Sequence, residues 1–420
     1  ALLPIGVFLV IFLGAGILFK DFYAMPAVVA FLIALFVAFL QNRKVSFQKK
    51  MEVIAKGLGE ENIITMCLIF LCAGAFSGAV TAAGGVDSTV NLGLSLIPPH
   101  FAVAGLFIIG CFISVSMGTS VGTITALAPI AVGISKQTGF SMAICVAAVV
   151  CGAMFGDNLS FISDTTIVAT RTQGCQMSDK FKVNIRIALP IAILTGLIYV
   201  LVGSGVENAY APAPIEWVKV IPYLVVLVTA VCGINVMLVL FIGIVLSGIV
   251  GLWTGSFDIW GWNASMGLGI TNMGELIIVT LLAGGMLEMI RYNGGIDWII
   301  RKLTSRIHSS KGAEMSIAAL VSFANLCTAN NTIALIMAGP IAKDIADRFK
   351  IDPRRSASLL DIFSCFIQGI IPYGAQMLMA AGLGHVSPIE IMQYLYYPYL
   401  LGAGALLAIL FNYPRKYTLV

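Results

Sequence analysis

Two carboxylates, one amide and four hydroxyls fall within eleven residues, Gly156-Asp157-Asn158-Leu159-Ser160-Phe161-Ile162-Ser163-Asp164-Thr165-Thr166, of a chain that is otherwise mostly apolar. Carboxylate, amide and hydroxyl oxygens are the ligands a hard cation accepts, and a carboxylate also takes a proton. The stretch therefore reads as a cation site, with Asp157 and Asn158 as sodium ligands and Ser160, Ser163 and Asp164 around them. If the segment is mostly helical, Asp157 and Asp164 share one face, with Ser160 and Phe161 between them. A plainer reading stays open beside this one: each aspartate caps a half-helix, and Asp-Thr-Thr at 164–166 is good capping sequence.

Other groups have the composition to complete such a site. Thr119 and Ser120 align with Asn330 and Asn331 in a second polar cluster, where Thr332 follows. Gln368, Tyr373 and Gln376, in and beside Gly369-Ile370-Ile371-Pro372-Tyr373-Gly374, have the groups to line the second half of the site, and Tyr373 reads equally as packing with its hydroxyl satisfied. Asp361, near Arg354 and Arg355, reads as a salt-bridge partner or as a proton carrier, and Glu288 as structural. His100, His308 and His385 all fall in predicted loops, which leaves no histidine relay among the apolar segments, no Ser-His protease and no H-E-x-x-H. The nine cysteines are odd in number and never spaced C-x-x-C, so they read as small packing residues rather than metal or redox ligands. The expectation is a protein without enzymatic activity and without a cofactor, using sodium and protons as coupling ions.

The medium that positions these groups is lipid. With 59% hydrophobic and 10% charged residues and a mean hydropathy of +0.99, the chain carries too much apolar surface to dissolve as a globule. Charge-free runs cover 1–19, 22–42, 62–86, 137–156, 187–206, 220–257, 362–389 and 391–414. Each accommodates one helix of roughly 20 residues, and 220–257 accommodates two. The first run lacks the basic start and small-residue cleavage site of a signal peptide. A carboxylate at bilayer depth costs about 2.5 to 3.5 kcal/mol on insertion scales, so Asp157 and Asp164 must face protein or water.

A shift near 210 residues lays the chain on itself. Ala73-Gly74 and Gly84-Gly85-Val86-Asp87 match Ala283-Gly284 and Gly294-Gly295-Ile296-Asp297. Ala128-Pro129-Ile130-Ala131 matches Gly339-Pro340-Ile341-Ala342, and Gly156 falls near Gly369 once two residues are inserted. Between Glu314 and Lys343 lie only 28 uncharged residues, with Thr328, Asn330, Asn331 and Thr332 in the middle. Two spanning helices need roughly 40, so this run predicts a re-entrant hairpin. Its partner is 101–135, with a tip at Met117-Gly118-Thr119-Ser120. Gly369, Pro372 and Gly374 predict a second interrupted helix, because proline removes a backbone donor and glycine eases non-helical dihedrals.

One hairpin and five crossings per half make the crossing number odd, which predicts halves of opposite direction. The expected fold is an all-α polytopic membrane protein of two inverted-topology repeats, with about ten transmembrane helices, two re-entrant helical hairpins and two broken helices. In that architecture substrate sits near the midplane, between unwound segments. Placing residue 1 in the cytoplasm puts all but Lys20, Lys136 and Lys219 of the 24 Lys and Arg on the cytoplasmic side. Both termini are then cytoplasmic, and no Lys or Arg remains within the bilayer.

Gly-Asp-Asn-Leu-Ser followed by Ser-Asp-Thr-Thr resembles the signature of NhaC-type sodium/proton antiporters, and the hairpin arrangement resembles the wider ion-transporter superfamily. The likeness covers nearly the whole chain. Phe161-Ile162 and Thr170-Arg171-Thr172-Gln173-Gly174 look like a shorter branch predicted to move amino acids, histidine among them. The resemblance implies a bacterial-type inner-membrane secondary transporter, homodimeric and working by an elevator mechanism. It assigns scaffold to 1–100 and 217–312 and transport to 101–206 and 313–413. Its partners would be sodium, protons, the bilayer and a small organic solute, with no nucleic acid. The leading expectation is coupling of sodium and proton gradients at Asp157; the alternative is a sodium- or proton-coupled amino acid transporter. An intramembrane aspartyl protease built on Asp157 and Asp361 lacks the G-x-G-D element, since Met154 stands at its first position. An open channel suits broken helices and enclosing hairpins less well than an occluded site.

Overall fold

The computed structural model describes residues 2–19, 25–96, 98–160, 163–203, 214–232, 234–295, 298 and 309–414. Phe161 and Ile162 of the central stretch lie outside the described residues, as do Ile296, Asp297, His308 and the basic residues Lys20, Arg301, Lys302, Arg306, Arg415 and Lys416. Among the described residues every regular element is a helix. Seven helical runs among the described residues are long and apolar enough to cross a membrane, and four shorter apolar helices accompany them there. Such runs leave no unpaired main-chain groups to lipid, which is why helices suit this composition. The chain is a multi-pass membrane protein.

In chain order come α1 (Leu3–Phe19), α2 (Ala27–Leu40), α3 (Phe47–Leu58), α4 (Glu61–Ala82) and α5 (Gly85–Leu96). The hairpin α6 (Ala102–Met117) and α7 (Ser120–Thr138) follows, then α8 (Met142–Leu159), α9 (Asp164–Gln173) and α10 (Met177–Gly203). The second half has α11 (Trp217–Val231), α12 (Val236–Trp253), α13 (Ile259–Asn272) and α14 (Gly274–Tyr292). A second hairpin, α15 (Ser310–Thr328) and α16 (Asn331–Arg348), precedes α17 (Pro353–Ile370), α18 (Ala375–Gly384), the short α19 (Pro388–Met392) and α20 (Tyr396–Leu410).

The two hairpins turn by the same device. Gly118 ends α6 in the left-handed region at φ 72°, and Thr119, extended, accepts from the Gly122 N–H as N-cap of α7. Ala329 ends α15 at φ 49°, and Asn330, extended, accepts from the Ile333 N–H as N-cap of α16. Glycine adopts that conformation freely, whereas alanine is strained there by roughly 1 kcal/mol. Ala329→Gly is accordingly expected to raise stability by up to about 1 kcal/mol, less whatever glycine adds to the unfolded chain's freedom. A lower melting temperature for the purified variant would contradict this.

Both helix interruptions also share one plan. α8 and α17 are each 18 residues, α9 and α18 each 10, and their starts (142 and 353, 164 and 375) keep one constant offset. That register pairs Asp157 with Gln368 with no insertion, so the alignment of Gly156 with Gly369 is corrected. Ser160 and Ile371 are extended C-caps, which breaks the continuous helix that would have put Asp157 and Asp164 on one face. Packing between the halves is reciprocal: α4 lies on α13 and α14 on α3, while α7 meets α18 and α16 meets α9.

Small residues let these helices approach. A Cβ on Gly156 would lie 2.1 Å from both Cβ and Oγ of Ser114 on α6, and one on Gly152 would lie 2.5 Å from the Phe107 carbonyl oxygen. Gly156→Ala therefore forces α8 off α6, at an expected cost of about 1 to 3 kcal/mol. A thermal melt in detergent reads it, and an unchanged midpoint would show that the interface yields freely.

Two expectations about charge are corrected. Lys180, counted among cytoplasmic loop residues, sits in the first turn of α10 with 1% exposure and pairs with Asp361 at 2.8 Å. Asp361 is thus not the partner of Arg354 or Arg355: Arg354 binds Asp352, and Arg355 binds Glu314 at 2.9 Å. The cause is helical phase, because Lys180 belongs to the buried stripe of α10 with Val183, Asn184, Ile187 and Ala188. Glu288 pairs with Lys56 at 2.8 Å, a structural contact.

Candidate ion-binding site

The two hairpin tips and the two helix breaks surround one polar cavity of about 210 Å³. Four helix N-termini contribute to its wall: Ser120 and Val121 of α7, Asp164 and Thr165 of α9, Asn331 and Thr332 of α16, and Ala375 and Gln376 of α18. Thr65, Met66 and Ile69 of α4 close one side. N-terminal turns leave main-chain N–H groups unpaired and carry partial positive charge, so the cavity has a polar lining without a lysine or arginine.

Asp157 supplies a buried carboxylate to this wall. It lies in the last turn of α8, 3% exposed, and its Oδ2 accepts from Ser120 Oγ at 2.6 Å. The Ser120 hydroxyl oxygen in turn accepts from Gln376 Nε2 at 2.9 Å. Gln376 Oε1 accepts from Gln368 Nε2 at 2.6 Å, and that same nitrogen donates to the carbonyl of Ala329 at 3.1 Å. One chain of hydrogen bonds thus runs from the second hairpin tip, through both segments of the second broken helix and the first hairpin tip, to Asp157. Gln368 Oε1 is buried without a hydrogen-bond partner among the described residues. A buried acceptor left unpaired is costly, and a bound cation or water would satisfy it.

The cavity also gathers Thr119, Ser163, Asp164 and Asn330. Asp164 opens α9 as an exposed residue, and Ser163 Oγ lies 2.7 Å from Thr165 Oγ1. Four anticipated residues stand elsewhere. Asn158 does not line the cavity: adjacent helical positions point about 100° apart, and its Nδ2 donates to the Met154 carbonyl at 2.9 Å. The carbonyl of Ser160 accepts from Thr166 Oγ1 at 2.8 Å. Asp361 is held by Lys180. Tyr373 donates to the Leu326 carbonyl at 2.7 Å and packs edge-on against Phe8, which is its packing reading.

Sequence reasoning missed Thr65, Thr165, Lys180 and Asn184. Lys180 and Asn184 could have been found, because an i, i+4 pair in phase with the apolar stripe of a helix faces inward. No comparable signal marks Thr65, whose place depends on how α4 crosses the hairpins. Among the described residues no group of three or more His, Cys, Asp or Glu side chains could hold a metal ion.

Fold and cavity together define a multi-pass helical membrane protein with a polar cavity lined by hairpin tips and helix breaks. The sequence profile of the Na+/H+ antiporter family matches residues 2–204 and 211–413, and the chain belongs to that family. Its relatives include the malate-2H(+)/Na(+)-lactate antiporter of Bacillus subtilis, 24% identical across 99% of this chain and 94% of that protein. The Na(+)/H(+) antiporter NhaC of Alkalihalophilus pseudofirmus is 24% identical over 98% of this chain and 94% of its own length. NhaC of Bacillus subtilis is also 24% identical, over 86% and 87%. The NhaC-type resemblance carried by residues 156–166 is borne out by these matches.

Proposed function

We propose that this protein is a secondary active transporter that exchanges sodium for protons at Asp157. One observation carries the reading: a buried carboxylate at a helix break opens onto a polar cavity between two hairpin tips. A single carboxylate with a single set of neighbours holds either a sodium ion or a proton, and that competition is what antiport requires. Asp157, Ser120, Gln368 and Gln376 supply oxygen ligands, with Thr119, Asn330, Asn331, Thr332, Ser163 and Asp164 lining the approach. Asn158 belongs to the supporting layer behind Asp157, and Ser160, Tyr373 and Asp361 to the frame. The test is sodium-gradient-driven proton flux in proteoliposomes, read with a pH-sensitive dye; absence of flux at any imposed sodium gradient overturns the reading.

A second reading has its own support. A cavity of about 210 Å³ is several times what one water occupies, and four helix N-termini suit an anionic group. A sodium- or proton-coupled carrier of a small carboxylate-bearing solute, an amino acid such as histidine included, fits that space. The name of the Bacillus subtilis malate/lactate antiporter points the same way. Radiolabelled uptake with and without a sodium gradient separates the two readings.

Two inverted repeats give the matched hairpins and breaks a common origin. The reciprocal packing of α7 on α18 and α16 on α9 supports transport segments 101–206 and 313–413 moving as one body, in elevator fashion. Segments 1–100 and 217–312 would then form the fixed scaffold of a homodimer. In this arrangement both termini face the cytoplasm of a bacterial-type inner membrane.

A further inference from the structure

Behind Asp157 two side-chain oxygens hold a charge that sodium/proton exchange at Asp157 does not use. Lys180 Nζ lies 2.8 Å from Asp361 Oδ2 and donates to Thr166 Oγ1 at 2.6 Å. Thr166 passes its own hydroxyl hydrogen to the Ser160 carbonyl at 2.8 Å. Asn184, one turn along α10, donates from Nδ2 to Asp361 Oδ2 at 2.7 Å and to the Asn158 carbonyl at 3.0 Å. Asp361, Asn184 and Lys180 are all within 1% of full burial. Oδ1 of Asp361, of Asn184 and of Asn158 are each buried with no hydrogen-bond partner among the described residues.

A carboxylate and a hydroxyl oxygen, Asp361 Oδ2 and Thr166 Oγ1, are ligands a hard cation accepts, and unpaired Oδ1 atoms of Asp361, Asn184 and Asn158 belong to the same hydrogen-bonded cluster. Here the cation present is an ammonium on a four-carbon tether. Stability alone does not account for it, since a buried ion pair is often no more stable than apolar residues of the same volume. Lysine is strongly hydrated when free, so its burial in this place indicates a specific need for positive charge.

We propose that Asp361 and Thr166, with Asn184 orienting the Asp361 carboxylate, form a second cation site, separate from Asp157, that the Lys180 ammonium keeps permanently filled in place of a sodium ion. The tether fixes the number of exchangeable cations: one is covalently resident, and only the ion at Asp157 turns over. Removing the ammonium while leaving its oxygens in place converts the second site into one that free sodium occupies.

The test is run in the Asp157→Asn background, so that the first site is silent and the two assignments fail separately. Full-length protein in detergent is melted in sodium chloride and in choline chloride. Asp157→Asn alone is expected to melt at the same temperature in both. Adding Lys180→Met, which keeps the apolar stem and removes the charge, is expected to raise the melting temperature in sodium by several degrees over choline. Adding Asp361→Asn to that pair is expected to abolish the difference. With Asp157 intact, Lys180→Met should bind two radioactive sodium ions per chain where the unsubstituted protein binds one. Equal melting of the Asp157→Asn, Lys180→Met protein in the two salts overturns the proposal. So does a Lys180→Met protein that cannot be recovered folded even in sodium while the variant also carrying Asp361→Asn can, because sodium would then have failed to replace the ammonium. A sodium response already present in Asp157→Asn alone counts against the first site, and the increment added by Lys180→Met still decides the second.

Discussion

Asp157→Asn is expected to abolish sodium-driven proton flux while leaving the protein folded. Asparagine has nearly the same shape, and its Oδ1 still accepts the Ser120 hydroxyl that meets Asp157 at 2.6 Å. What it loses is the charge, and with it both ligand strength for sodium and the capacity to carry the exchanged proton. The loss of sodium affinity should reach at least about a hundredfold, equivalent to roughly 2.7 kcal/mol. Sodium binding by calorimetry and flux in proteoliposomes measure the two consequences independently. Near-normal flux in a well-folded Asp157→Asn protein would move the exchange to another group. Asp164, exposed on the cavity wall, would be the first to examine.

The largest effect on stability is expected from Arg355→Met. Arg355 is fully buried in α17, its Nη2 is 2.9 Å from Glu314 Oε2 at the base of the second hairpin, and its Nη1 donates to the Tyr413 carbonyl at 2.8 Å. Deleting the guanidinium strands a 2% exposed carboxylate. Breaking a buried pair from one side costs roughly 3 to 5 kcal/mol, whereas replacing both partners by apolar residues is often neutral. Arg355→Met should therefore melt well below the unsubstituted protein, and Arg355→Met with Glu314→Leu should recover most of the loss. Equal stability of the single and double variants would show that the carboxylate finds water or another cation once freed.

Much of this architecture is legible in the order of residues because the cues are local. A 28-residue gap between charges with a polar cluster at its middle marks a chain reversal, and a helix–turn–helix is found there as α15 and α16. Gly-Ile-Ile-Pro-Tyr-Gly interrupts a helix by the chemistry of its own backbone, as found between Ile370 and Ala375. Asp157 stands out because lipid depth makes a carboxylate expensive, and an expensive group needs a purpose. The lysine buried in α10 escapes that reasoning, since its stretch of chain also looks like a basic loop and only helical phase tells the two apart.

By itself, then, the sequence determined that the chain lives in lipid, where it turns back, where its helices come apart, and that Asp157 lies at one of those breaks. Each follows from apolar run length and from the intrinsic preferences of Gly, Pro, Asp and Thr. Only the tertiary structure decided which polar side chains meet. It joined Gln376 to Ser120 and Lys180 to Asp361, and it turned Asn158 away from the cavity that Asp157 lines. Those partners lie far apart along the chain, and whether two such groups come within hydrogen-bonding reach depends on how whole helices cross. Composition and spacing carry no record of that crossing, which small residues such as Gly152 and Gly156 permit and close packing then fixes.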